Sequence, residues 1–287
     1  MKQAAFIHSG IADEAGKDMV SQILAHKMLG WEFIEVRTVD GVQFTDVTDE
    51  KFDQVCDKLA DAGMKVSCFA SGIANWACKI TDPFQKSEKT MGHAISRMHD
   101  LDTEYIRVMS YPNNGLPEDQ WRDEAVRRMK ALGQMAEDAG VIILVENCDG
   151  WASTSPENYA RFFELVDCPA VRAVYDTGNP ASHGHTNTWD WYVKAKPHIA
   201  YIHIKAHTDR QGDKKGEHVW PDVGASKVVE TLQDQLAHGF HGFVSIEPHL
   251  KAVIHEGKKI TDAEAALLTY VEYGRRLMKL VDKVKCM

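Results

Sequence analysis

The chain repeats one pattern eight times, in which a short apolar run is followed by a stretch with helical spacing of its apolar residues. Strict alternation of strands and helices indicates parallel strands joined by crossover helices. The runs that we predict as strands are 4–8, 32–37, 65–71, 104–110, 141–147, 171–176, 199–205 and 242–247. Eight such units in 287 residues fit an α/β fold built as a closed (β/α)₈ barrel better than an open doubly wound sheet.

Helix start and stop signals support this alternation. Thr48 is a typical N-cap residue before an apolar-periodic stretch, and Gly63 follows that stretch where a terminating glycine belongs. Gly140 has the same place after the helix predicted from residue 117. Ser155 followed by Pro156 predicts another helix start, because proline is favoured at the first helical position.

Composition limits the class of protein. The chain is 44% hydrophobic and 26% charged, as in ordinary globular proteins, and it contains no low-complexity linker, so we expect one domain over residues 1–287. The net charge of −9 argues against a partner that is a nucleic acid. Neither a signal peptide nor a membrane-spanning stretch is recognisable, so we expect a cytoplasmic protein without a membrane partner. We also expect an oligomer of identical chains.

Charged and imidazole side chains end the four last strands. Glu146, Asp176, His203 and Glu247 each share inward parity with the residue two positions earlier. Three carboxylates at one barrel mouth would repel one another, and a divalent cation would remove that repulsion. Three oxygen ligands and one nitrogen suit Mn²⁺, Mg²⁺ or Co²⁺, and Zn²⁺ is also compatible. Each residue alone could instead be an ion-paired strand-end group, but the shared parity on consecutive strands favours a metal site.

The blocks around these residues also carry a family resemblance. The segments "LVENCDG", "VYDTGN", "YIHIKAH" and "VSIEPH" resemble the metal-binding blocks of the xylose isomerase-like superfamily, and "KMLGWEFIEVR" resembles its second strand. This superfamily contains ketose 3-epimerases, hydroxypyruvate isomerases, inosose dehydratases and endonuclease IV. The resemblance implies a TIM barrel with one divalent ion, Mn²⁺ being favoured. It also implies that Glu146, Asp176, His203 and Glu247 are the metal ligands.

The resemblance further implies a reaction class. In the superfamily the two ligand glutamates act as acid and base, so Glu146 and Glu247 are the candidate catalytic residues. We therefore expect an isomerase or epimerase acting on a small ketose or sugar derivative through an enediolate. A dehydratase or lyase acting on an inosose or a 3-keto-glycoside, including cleavage of C-glycosides, is the alternative, and endonuclease IV-type DNA repair is disfavoured by the acidic charge. The absence of a glycine-rich phosphate loop favours an unphosphorylated substrate.

Five residues are candidates for binding the carbohydrate substrate. Lys205 has inward parity, and it could stabilise a substrate oxyanion or serve as a counter-ion for the carboxylates. His249 could shuttle a proton, and His8, at the predicted end of the first strand, could bind a hydroxyl group. Asn179 stands where the epimerases usually have a histidine, so the identity of the substrate does not follow from the resemblance. Trp151 lies in a loop and could stack on a sugar face or simply pack there.

Further residues around the predicted barrel have less specific interpretations. Glu35, Arg37 and Arg107 share inward parity and are predicted to form an ion-pair layer. The charged segment 208–218 belongs to a long loop, 206–224, and is a candidate lid. Trp76 and Trp220 also follow strands, as Trp151 does.

Overall fold

The computed structural model describes residues 5–209, 216–250 and 262–286. Its main sheet has eight parallel strands, and these correspond to the eight predicted ones. They are β1 (Ala5–Gly10), β2 (Phe33–Val36), β3 (Lys65–Ala70), β4 (Tyr105–Ser110), β5 (Ile142–Gly150), β6 (Val171–Asp176), β7 (Ile199–Ile204) and β8 (His241–Ile246). The strand order is β1-β8-β7-β6-β5-β4-β3-β2, and an isolated parallel bridge between Ile11 and Glu35 joins the two ends. The predicted barrel is therefore confirmed.

A helix follows each strand and packs on the outside of the barrel. The helices are α1 (Met19–Leu29), α2 (Asp49–Asp61), α3 (Phe84–Asp100), α4 (Glu118–Ala139), α5 (Pro156–Val166), α6 (Thr188–Ala195), α7 (Val228–Ala237) and α8 (Asp262–Lys285), with a short turn of helix at Asn179–Ser182 before α6. Within the described segments, no helix is both long and apolar enough to cross a bilayer.

The predicted caps are present. The side chain of Thr48 accepts a hydrogen bond from the backbone N–H of Lys51, and the side chain of Ser155 accepts one from Asn158. Gly63 and Gly140 follow their helices with φ values of +57° and +70°, in the left-handed region where glycine is favoured. The helix boundaries could be predicted because these signals are local.

Part of the barrel interior below the strand ends is apolar. Cys68, Leu144, Val174 and Tyr201 form a buried cluster that is separate from the core between strands and helices. Three of these residues lie two positions before Glu146, Asp176 and His203 on the same strands. This arrangement confirms the inward parity that was predicted for the polar strand ends.

Two strands run further than predicted. β1 continues to Gly10, and β5 continues to Gly150 across an irregularity in its pairing with β4. Gly150 pairs with Ser110 at φ +94°, and a Cβ atom on it would lie 2.2 Å from the carbonyl carbon of Ser110. Only glycine allows this close approach, which brings the backbone after Glu146 against β4.

Candidate metal centre

Glu146, Asp176, His203 and Glu247 meet at the C-terminal mouth of the barrel. Glu146 lies within β5, Asp176 ends β6, His203 is the next-to-last residue of β7, and Glu247 directly follows β8. Each offers one donor atom, and these atoms all lie within 4.8 Å of one another. All four side chains are buried. The residues predicted as ligands are thus brought together at a separation that one cation could bridge.

Two donor atoms of this cluster lack hydrogen-bond partners although they are buried. These atoms are Nδ1 of His203 and Oδ2 of Asp176. Nδ1 of His203 lies 3.6 Å from Oε1 of Glu146, and Oδ2 of Asp176 lies 3.1 Å from the ammonium of Lys205. Apart from the ion pair of Asp176 with Lys205, neither atom has a partner of good hydrogen-bond geometry, and a cation between the two atoms would contact both. The donor set and these two atoms fit a divalent metal ion.

The other ring nitrogen of His203 faces Glu35 on β2. Nε2 of His203 lies 3.1 Å from Oε1 of Glu35, whose other oxygen accepts hydrogen bonds from Tyr201 and Ser245. Burial alone would lower the pKa of His203, but the carboxylates of Glu35 and Glu146 raise it to about 10. Without a metal ion the imidazole therefore carries both protons, with Nε2 directed at Glu35 and Nδ1 at Glu146, and a metal ion bound at Nδ1 would replace the proton there.

Cationic side chains compensate the buried carboxylates. The ammonium of Lys205 lies 2.8 Å from Oε2 of Glu247, and Nη1 of Arg37 lies 2.7 Å from its Oε1. Burial would raise the pKa of Glu247, but Lys205 lowers it well below its usual range. Burial would also raise the pKa of Glu146, yet His203 and Arg107 lower it to about 2. Both glutamates are therefore ionised and able to accept a proton.

The backbone after β6 fixes Asp176. Its Oδ1 accepts hydrogen bonds from the N–H groups of Gly178 and Asn179, at 2.8 and 2.7 Å. The side chain of Asn147 bonds both the N–H and the carbonyl of Asp176. Burial raises the pKa of Asp176 to about 6, against the opposing charge of Lys205.

Asn179 also donates from Nδ2 to Oε1 of Glu146, 3.1 Å away. Asn179 is thus at the site, with its amide group directed at a candidate ligand.

A cavity of about 180 Å³ lies over this cluster. Its lining includes Arg107, Asn179, Lys205, His249 and both glutamates. Nε2 of His249 lies 3.3 Å from Oε1 of Glu247, and its Nδ1 lies 3.3 Å from Glu14. The cavity is small, and charged side chains form much of its lining.

Two predicted contact residues lie away from this cavity. The placement of His8 at a strand end is wrong, because β1 continues to Gly10, and His8 stacks on Trp31 with ring centroids 5.5 Å apart. Trp151 is buried and packs against Phe162 instead of facing the cavity. Trp76, by contrast, is 58% exposed and lines the cavity.

The predicted ion-pair layer is present, but it includes two of the candidate metal ligands. Arg37 pairs with Asp13 and Glu247, and Nε of Arg107 lies 3.4 Å from Glu146. These pairs contain two of the candidate ligands. The inward parity of the arginines was visible in the sequence, whereas their partners on distant strands were not.

Sequence reasoning missed Glu14 and His218. Glu14 follows β1 and contacts His249, and it was overlooked because the first strand was predicted to end too early. His218 reaches the cavity from a hairpin in which Ala206–His207 pairs with His218–Val219. No local pattern marks that hairpin. Residues 210–215 of the predicted lid lie outside the described residues.

Comparison with known proteins agrees with this barrel fold. The sequence model of the xylose isomerase-like TIM barrel family matches residues 23–270, and the chain belongs to that family. A search of curated proteins finds no match.

Solved structures of the same fold are similar over nearly the whole chain. A xylose isomerase-like TIM barrel protein from Mycobacterium smegmatis in complex with magnesium is 17% identical, with a TM-score of 0.67 over 98% of this chain and 100% of that one. D-allulose 3-epimerase from Methylomonas sp. in complex with D-allulose is 14% identical, with a TM-score of 0.66 over 95% and 97%. The E. coli 3-keto-D-glucoside 4-epimerase YcjR, in its apo form, is 12% identical, with a TM-score of 0.66 over 93% and 99%. At these identities the likeness concerns the fold.

Proposed function

We propose that this protein is a divalent-metal-dependent isomerase or epimerase of a small, unphosphorylated ketose or sugar derivative. The observation that carries the proposal is the convergence of four buried donor groups, within 4.8 Å of one another, beneath a small cavity. Glu146, Asp176, His203 and Glu247 would hold the ion, which is Mn²⁺ in the favoured case. A bound ion would polarise the substrate carbonyl and stabilise the negative charge that develops when a neighbouring carbon loses its proton.

Glu146 and Glu247 would move that proton. Glu146 lies in β5 and Glu247 directly follows β8. Because β6 and β7 separate these two strands, the two glutamates reach the cavity from different sides of the mouth. Both are kept ionised by neighbouring cations, so either can take a proton from the carbon beside the carbonyl. If the other glutamate returns the proton to the opposite face, the result is epimerisation. Return to the adjacent carbon gives isomerisation.

Lys205 would stabilise the substrate oxygen that becomes charged. Its ammonium is buried and lies within 3.1 Å of both Asp176 and Glu247, so it stands beside the groups that would hold the ion. The same contacts also suit a structural counter-ion. The variant described below separates these two roles.

A second candidate function uses the same site residues but gives elimination instead of isomerisation. A dehydratase or lyase would use the same proton removal and then expel a leaving group from the neighbouring carbon. The additional cavity beside Trp76 would hold the group expelled from a substrate such as a 3-keto-glycoside, which is the observation that favours this alternative. Product analysis distinguishes elimination from isomerisation.

Exchange of substrate hydrogen with solvent tests the proposal. The Mn²⁺-loaded protein, incubated in D₂O with panels of ketoses, inososes and 3-keto-glucosides, should incorporate deuterium next to the carbonyl of at least one of them. Glu247→Gln should stop or severely slow this exchange, because an acid/base group is removed. Mass spectrometry and proton NMR measure the exchange. If the loaded wild-type protein exchanges none of the compounds, the proposal fails.

Lys205→Met is the companion variant. It should retain fold and metal, because Lys205 repels a cation, while kcat/KM falls by roughly 10²-fold, as when one oxyanion donor is lost. Near-normal turnover would show that Lys205 is a counter-ion only.

A further inference from the structure

Trp76 lines two cavities at the mouth of the barrel. The tryptophan lies in the loop after β3 and is 58% exposed, which is unusual for so large an apolar side chain. It lines the cavity over the four candidate metal ligands, and it also lines a second cavity of about 260 Å³. One aromatic side chain is therefore shared by two neighbouring spaces, and the site proposed above occupies one of them.

The second cavity has a polar lining that the proposed chemistry does not use. The loop after β2 contributes Gln43 and Asp46, the loop after β3 contributes Asn75, and α3 contributes Lys86. Oε1 of Gln43 is buried without a hydrogen-bond partner. An amide oxygen of this kind accepts a hydrogen bond from a hydroxyl group. The cavity thus presents hydrogen-bonding groups, one of them unsatisfied, beside an aromatic ring.

This combination suits a sugar ring. One face of a pyranose carries C–H groups that pack on an aromatic ring, and its hydroxyls need donors and acceptors around the edge. A flat aromatic group would also stack on Trp76, but it would leave Gln43, Asp46 and Lys86 without partners. The cavity over the metal cluster has about 180 Å³, less than the roughly 300 Å³ at which pockets for drug-sized ligands begin. One small ring therefore fills it, and a larger substrate must extend past Trp76.

We infer that the second cavity is a subsite for a second sugar ring, so that the substrate is a two-ring glycoside whose carbonyl-bearing ring lies over the metal cluster. This inference rests on the proposed function for the position of the first ring. Trp76 would stack on the second ring, and Gln43, Asp46 and Lys86 would bind its hydroxyl groups.

Kinetics on one-ring and two-ring substrates tests the inference. Deuterium exchange should be measured with methyl 3-keto-glucoside and with 3-keto-trehalose, and the ratio of their kcat/KM values compared among variants. We expect the wild-type ratio to favour 3-keto-trehalose and to fall about tenfold in Trp76→Ala and in Lys86→Ala. Lys89→Ala removes an exposed lysine of the same helix that lines neither cavity, and it should leave the ratio unchanged. An equal ratio in all four proteins would overturn the inference.

A binding measurement keeps this test separate from the test of the reaction. Calorimetry with unoxidised trehalose and glucose on the Mn²⁺-loaded protein should show tighter binding of trehalose, and Trp76→Ala should abolish the difference. If no compound exchanges deuterium but this difference is found, the reaction is wrong and the subsite stands. If trehalose and glucose bind with the same affinity, the second-sugar subsite is overturned. It is also overturned if Trp76→Ala weakens the binding of 4-nitrophenyl glucoside and leaves the binding of trehalose unchanged.

Discussion

Glu35 lies beneath the four candidate metal ligands and is fully buried. Its carboxylate receives the ring N–H of His203 and the hydroxyls of Tyr201 and Ser245. A carboxylate that accepts the ring N–H fixes both the tautomer and the orientation of a histidine that ligates metal. We infer that Glu35 positions His203.

Glu35→Gln should weaken metal binding. The amide keeps the shape of the side chain but loses the charge, and loss of such a partner typically lowers metal affinity about 10- to 100-fold. Titration with Mn²⁺, followed by calorimetry, measures the dissociation constant directly. Tyr201→Phe is the matched control, because it removes one hydrogen bond of the same network and leaves the carboxylate, so its effect should be below tenfold. An unchanged dissociation constant in a folded Glu35→Gln protein would contradict the positioning role.

The sequence predicted part of this arrangement at the level of residues. Parity along single strands was enough to bring Glu146, Asp176 and His203 to one mouth, because alternation in a strand is a local property. The pairing of Glu35 with His203 joins residues 168 positions apart, and parity showed that Glu35 points inward but not which group it meets. Trp151 and Trp76 follow strands in the same way, yet one is buried and the other exposed, since loop packing depends on neighbouring loops.

At the scale of elements, strand ends were less predictable than strand centres. β1 and β5 continue past their predicted ends, and the extension of β1 moves His8 into the middle of a strand. The centres carry runs of apolar residues with β-branched side chains, whereas the ends depend on pairing with neighbouring strands. Helix ends were predicted better because capping residues satisfy backbone groups within the same few residues.

Helix α1 contains a buried histidine at its contact with α8. His26 is fully buried between Trp31 and Tyr270. Its Nδ1 donates to the carbonyl of Gln22 at 2.9 Å, so Nε2 is the acceptor that faces the hydroxyl of Tyr270. Burial lowers the pKa of His26 to about 4, and the side chain is neutral in the folded protein.

This contact should make stability depend on pH. The folded pKa of about 4 lies below the ordinary value of 6.5, so the unfolded chain binds a proton more readily, and stability falls as pH decreases from about 6.5 toward 4. Between pH 7 and pH 5, His26 alone should cost about 2 kcal/mol of unfolding free energy. Urea unfolding at the two pH values measures the loss, which should shrink by about that amount in His26→Gln. His93→Gln, on the exposed face of α3, should retain the full pH dependence, and an unaltered loss in His26→Gln would contradict this account.

At the scale of the whole molecule, ionic contacts connect the two ends of the sheet. β1 and β2 share the isolated bridge between Ile11 and Glu35, so this seam has fewer backbone hydrogen bonds than the paired strands. Arg37, just after β2, pairs with Asp13 after β1 and with Glu247 after β8. The residues that surround the candidate metal centre therefore also hold the seam together at the barrel mouth.

A metal ion at this centre should stabilise the entire barrel. It would join four adjacent strands, β5 to β8, and the unfolded chain does not bring its four ligands together. At a free Mn²⁺ concentration 100 times the dissociation constant, the gain in unfolding free energy is about 2.7 kcal/mol. For a chain of this length that gain corresponds to a rise in Tm of about 5 °C.

Thermal unfolding with and without Mn²⁺ measures this rise, and EDTA should reverse it. Elemental analysis should find about one divalent ion per chain in the purified protein. His203→Ala and Asp176→Ala should lose both the ion and the rise, because each removes a ligand. His249→Ala should keep both, since His249 lines the cavity but belongs to a different group of possible ligands, formed with Glu14 and Glu247. A rise of the same size in His203→Ala, or its loss in His249→Ala alone, would show that the ion is held by that other group and not by the four strand ends.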